Sequence, residues 1–194
     1  ADFAQAALEA DYPDVEIVLY EGVTVGAVDY SAIINRVAES GADAVIWGGY
    51  HPEASKLVGQ MRTQNMDTLF ISGDGVKDES FIDVAGANAE GVYATGPRDT
   101  SSNEMAIAAT QAHEEKYGEG PGPFFMNGYA ATLAILNAIE AAGTTEAQAV
   151  MDALRSEYVD TPLGSISFDE KGDAEGVGFA VYQVQNGEYV QVGE

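Results

Sequence analysis

Two residues stand where binding chemistry is easiest to build. Asp74 sits between Gly73 and Gly75 directly after the apolar run Leu69-Phe70-Ile71, and Tyr50 follows Gly48-Gly49 directly after Ala44 to Trp47. An aspartate in that position is either a solvated turn residue or a carboxylate held out to receive a cationic group, where a charge-assisted hydrogen bond is stronger than a neutral one. Tyr50 is either a packing aromatic or a cover for a ligand. That both lie at the ends of neighbouring apolar runs favours the binding reading for the pair.

Catalytic chemistry finds little support. His51 and His113 are the only histidines, and His113-Glu114-Glu115-Lys116-Tyr117 lacks the second histidine of a helical zinc site. His51, beside Pro52 at a helix start, reads as a capping or surface residue. There is no Gly-x-Ser-x-Gly elbow, and the glycines at 73 and 75 do not form a phosphate-binding fingerprint. Asp169-Glu170-Lys171-Gly172-Asp173 fails as a calcium loop, because Lys171 takes a ligand position and Ala174 replaces the glycine of the turn. Cysteine is absent, which removes disulfides, thiolate nucleophiles and Cys-based zinc sites together. A protein that binds without chemistry, and without a cofactor, is the expectation. An enzyme such as an α/β hydrolase is disfavoured for want of a nucleophile and base pair.

The elements that must position Asp74 and Tyr50 alternate. Residues 1 to 10 read as helix with Phe3, Ala7 and Ala10 on one face, and Val15 to Tyr20 as a buried strand. A helix capped by Asp29 carries Tyr30, Ile33, Ile34 and Val37 inward. Ala44 to Trp47 is a second strand, and the helix opened by Pro52 carries Ala54, Leu57, Val58 and Met61. Leu69 to Ile71, a short helix over Glu79 to Val84, and Gly91 to Pro97 follow. Strands alternating with helices predict a parallel, three-layer α/β sheet, whose C-terminal strand ends open on the crevice where such sheets hold ligands.

After Gly96-Pro97 the pattern changes to three helices without strands between them, at Ser102 to Tyr117, Phe125 to Ala142 and Thr145 to Glu157. The middle one shows Tyr129, Leu133, Leu136 and Ile139 as its apolar face. Such faces must pack on one another or cover a sheet lying outside this chain, and left uncovered they predict self-association. A strand from Leu163 to Phe168 and a hairpin at Asn186-Gly187 between Phe179 to Val184 and Tyr189 to Val192 complete the chain.

The surface chemistry narrows the partners. Over 194 residues, 32 acidic side chains face 8 Lys plus Arg, a formal charge of −24. That surface repels phosphate backbones and anionic lipid heads, so nucleic acid and membrane surfaces are excluded as natural partners. No apolar run approaches the roughly 20 residues needed to span a bilayer.

The motifs Asp29-Tyr30-Ser31, Gly48-Gly49-Tyr50-His51-Pro52-Glu53, Gly73-Asp74-Gly75-Val76, Ala89-Glu90-Gly91, Gly128-Tyr129-Ala130-Ala131 and Phe168 to Asp173 fall in order across the chain. Together they resemble the bacterial leucine/isoleucine/valine-binding proteins, the periplasmic substrate-binding components of ABC transporters. The resemblance implies a type I periplasmic binding fold of two α/β lobes, an amino acid as ligand, a membrane permease as partner and an extracytoplasmic location. It implies that Asp74, with Gly73, holds the ligand's α-ammonium, where the family's usual residue is a glutamate one methylene longer. Tyr50 matches a tyrosine that closes over the ligand, and Phe124 an aromatic lining its side-chain pocket. On this mapping residues 1–97 and 173–194 belong to the second lobe and 98–172 to the helical part of the first, and the family has a further segment ahead of the point where this chain begins. A ligand-sensing domain of a regulator or receptor, built on the same fold and binding an amide or another small polar molecule, is the alternative.

Overall fold

The computed structural model describes residues 2–122 and 124–193. They form two compact units: residues 2–96 with 181–193, and residues 97–180.

In the first unit, α1 (Asp2–Asp11), α2 (Ser31–Ser40), β1 (Ala44–Trp47), α3 (His51–Thr63), β2 (Leu69–Ser72), a 3-10 turn (Asp74–Val76), α4 (Glu79–Ala85) and β3 (Tyr93–Pro97) follow in order. β1, β2 and β3 pair in parallel, with Trp47 opposite Ser72 and Ser72 opposite Ala94. The helix signals act as expected. Gly41 ends α2 in the left-handed region, Pro52 lies in the first turn of α3, and the Asp78 carboxylate caps α4 by accepting from Ser80 N. Ile34, Val58, Met61, Phe70, Phe81 and Val92 form one fully buried cluster, so α2, α3 and α4 close over one side of the sheet.

Two expectations fail here. Val15 to Tyr20 is not a strand. Its Val15, Val18 and Tyr20 are about half exposed, and β-branched composition makes a strand only where a neighbouring strand supplies hydrogen bonds. Likewise α1 buries none of its residues, and Phe3 on its supposed inner face is exposed. A smaller difference concerns Asp29, which lies one residue ahead of the α2 cap position. Its carboxylate still accepts from Ser31 N at 2.9 Å, and that bond lowers its pKa.

The second unit holds α5 (Glu104–Tyr117), α6 (Phe125–Ala142) and α7 (Ala147–Ser156), with β4 (Val159–Thr161), β5 (Gly164–Phe168) and β6 (Ala174–Glu175) as a small antiparallel sheet. The buried stripe of α6 is Ala130, Ala134 and Ala138, not the larger residues the apolar pattern favoured; Tyr129 and Leu136 are exposed. Alanine at i, i+4 and i+8 lets α6 approach its neighbours closely, and Ile166, Leu154, Val159 and Leu163 fill that side.

The chain ends in β7 (Phe179–Gln185) and β8 (Glu188–Gly193), an antiparallel hairpin in a five-stranded sheet ordered β1-β2-β3-β7-β8. Its turn residues Asn186 and Gly187 both have positive φ, 55° and 80°, as a type I′ hairpin turn requires.

Candidate functional site

Because Trp47 and Ser72 are register partners in β1 and β2, the segments leaving the two strands emerge side by side. On the β1 side the chain turns over the Trp47 indole. A Cβ on Gly49 would lie 2.5 Å from Trp47 Cζ2, so no side chain fits there. The backbone of Tyr50 is then held twice: its carbonyl accepts from Trp47 Nε1 at 3.3 Å and from Ala54 N at 3.1 Å. The residue as a whole is nonetheless 71% exposed.

On the β2 side, Ser72 Oγ donates to Tyr93 O and ties the strand end to β3. Gly73 O then accepts from Val76 N and Asp74 O from Lys77 N, closing a 3-10 turn whose Val76 side chain is completely buried. The burial of Val76 holds the turn down and leaves the Asp74 side chain in solvent. Gly75 brings the two sides into contact, since a Cβ there would sit 3.0 Å from Tyr50 Cδ1 and 3.0 Å from Gly49 O.

Tyr50, Gly73 and Asp74 are thus assembled at one end of one sheet. Phe124 belongs to the other unit, where it is the half-exposed N-cap residue of α6 and its carbonyl accepts from Gly128 N. Behind Asp74, Asp78 has its pKa lowered by the hydrogen bond from Ser80, with the charge of His51 adding to the effect. Among the described residues no group of three or more His, Asp or Glu is placed to hold a metal ion, and no helix is long and apolar enough to cross a membrane. A carboxylate beside an aromatic face can bind a cationic group such as an ammonium.

Residues 1–188 match the family model for periplasmic binding proteins. The chain belongs to the periplasmic binding protein family. The Leu/Ile/Val-binding protein homolog 1 of Brucella abortus is 38% identical over 173 residues, covering 87% of this chain and 46% of that protein. The leucine-, isoleucine-, valine-, threonine- and alanine-binding protein of Pseudomonas aeruginosa is 33% identical over 169 residues, 87% of this chain and 45% of its own length. The chain therefore spans about half the length of these relatives. Among solved structures, a leucine-binding protein of Thermotoga maritima superposes with a TM-score of 0.78 at 28% identity, covering 88% of this chain and 49% of that one. The fold is that of the type I periplasmic binding proteins, an α/β architecture, and the family is one of binding proteins rather than enzymes.

Sequence reasoning found the two strand ends of this periplasmic binding protein but not what supports them. Trp47, Gly49 and Gly75 all shape the Tyr50 side of the site. The glycines on either side of Asp74 were the available signal, since a glycine can mark a close backbone approach as well as a turn.

Proposed function

We propose that this chain is part of an extracytoplasmic substrate-binding component of an ABC transporter that captures branched-chain or other amino acids. The observation that carries the reading is the convergence of Tyr50 and Asp74 at two adjacent strand ends through Gly75, in a chain whose relatives are named as leucine-, isoleucine- and valine-binding proteins. Asp74, with Gly73 giving it room, anchors the α-ammonium of the ligand, and Tyr50 covers it. Phe124 is assigned to the aliphatic side chain by its match to the family pattern. Residues 1–97 and 173–194 are the part of the second lobe present here, and 98–172 are the helical part of the first. Ligand contacts to both lobes favour a closed state, which the membrane permease receives.

Thermal unfolding of the protein as its gene encodes it, with and without L-leucine, tests the reading. A ligand at 100 times its Kd stabilises by about 2.7 kcal/mol, and Asp74→Ala removes most of that gain. Equal shifts in wild type and Asp74→Ala would overturn the role of Asp74, and no shift with any aliphatic amino acid would overturn the ligand class.

A further inference from the structure

The turn that carries Asp74 is held from below by the C-terminal hairpin, more than 110 residues away in sequence. Tyr189 of β8 donates its hydroxyl to Val76 O at 2.5 Å. The same carbonyl accepts from Asp78 N at 2.7 Å, so the peptide after Val76 is fixed from two directions. Burial pushes the pKa of the Tyr189 hydroxyl far up, and it keeps the proton it donates. One residue on, the Lys77 ammonium lies 4.2 Å from the Tyr182 ring centroid and 5.8 Å from that of Tyr189. Its stem runs over Gly96, where any Cβ would overlap Lys77 Cδ. All of these residues belong to the first unit.

A 3-10 turn of three residues has little order of its own. Here Val76 is buried, its carbonyl is hydrogen-bonded to the hairpin, and Lys77 is laid across two rings, so the Asp74 side chain projects from a backbone with one orientation. A ligand that meets a fixed carboxylate loses less free energy to ordering than one that must first arrange it. We infer that Tyr189 and Lys77 are positioning residues that hold the Asp74 turn in its ligand-accepting form, with Tyr182 and Gly96 shaping the seat for Lys77. The inference rests on the proposed role of Asp74, and neither Tyr189 nor Lys77 is asked to touch the ligand.

The test uses L-leucine and the protein as its gene encodes it, in a double-mutant cycle. Tyr189→Phe keeps the ring beneath Lys77 and removes only the hydroxyl. Loss of one hydrogen bond corresponds to a roughly five- to tenfold weaker Kd. Lys77→Met weakens binding similarly, and Lys77→Arg, which keeps a cation over the rings, restores it. In an Asp74→Ala background neither Tyr189→Phe nor Lys77→Met has a further effect. Equal losses in both backgrounds, or no loss beside Asp74, would overturn the inference. Amide exchange at Lys77, whose N–H bonds to Asp74 O, is read in parallel and accelerates in both variants if the hairpin holds the turn; unchanged exchange also overturns it. If Asp74→Ala binds L-leucine as well as wild type does, the ligand role of Asp74 fails, and the exchange measurement still decides whether the turn is held.

Discussion

Gly75 lies directly against the ring of Tyr50, with room for a hydrogen and not for a methyl group: a Cβ would meet Tyr50 Cδ1 and Gly49 O, each at 3.0 Å. The contact joins the two strand ends that present Tyr50 and Asp74. One of the two obstacles is backbone and the other is a solvent-exposed ring, and they respond differently to a substitution.

Gly75→Ala is therefore expected to displace the Tyr50 ring, because the exposed side chain moves more readily than the Gly49 carbonyl. Gly75 is not in the left-handed region, so the substitution adds no backbone strain. Stability should fall by about 1 kcal/mol or less, as for other substitutions away from a packed core, while L-leucine affinity falls several-fold. Calorimetric titration beside thermal unfolding separates the two. A variant that loses stability and keeps its affinity would remove Tyr50 from the site.

The cap of α4 supports the same turn from its far end. Asp78→Ala should cost about 1 kcal/mol, the usual loss for an N-cap acceptor, whereas Asp78→Asn keeps an acceptor for Ser80 N and costs less. The folded-state pKa of Asp78 is depressed, first by the Ser80 hydrogen bond. Its ionic contribution is accordingly complete above the unfolded carboxylate value near 3.9 and disappears as pH falls through the lower folded value. Wild type should lose more stability than Asp78→Asn as pH falls from about 5 through the carboxylate range.

Local signals predicted what local physics decides. Asn186-Gly187 specified its hairpin because both residues readily take the positive φ of a type I′ turn, whose twist matches that of the strands, and the glycines after β1 and β2 marked the strand ends that carry Tyr50 and Asp74. Val15 to Tyr20 misled because strand formation depends on a neighbour, which composition does not report. In α6 the largest apolar residues suggested the inner face, but the fully buried positions there are alanines. The bond from Tyr189 to Val76 links residues 113 apart, and no short-range pattern announces such a pairing.

The alanine face of α6 gives a stability prediction for the second unit. Ala134 is 2% exposed and Leu136, two positions on, is 57% exposed. Ala134→Leu forces extra volume into a close contact and should destabilise by about 1–3 kcal/mol. Leu136→Gln should change stability by about 0.5 kcal/mol or less. Urea unfolding of both variants checks the order. The reverse order would place the larger apolar residues of α6 inside.

The final expectation concerns salt. Ion pairs such as Arg36 with Glu21 and Arg155 with Asp152 engage few of the 32 acidic side chains, and a formal charge of −24 makes the folded surface repel itself. Raising KCl from about 0.1 M to about 1 M shortens the Debye length from roughly 10 Å to roughly 3 Å, which weakens repulsion between exposed carboxylates more than it weakens the buried contacts of the Phe70 and Phe81 core. The Tm should therefore rise with salt, and rise less in a variant in which several exposed α1 and α5 acids, such as Glu9, Glu114 and Glu115, are replaced by Gln. Potassium chloride and potassium sulfate at equal ionic strength distinguish screening from the general strengthening of apolar burial that sulfate produces. A Tm that is insensitive to chloride would mean that the acidic surface is neutralised in some other way.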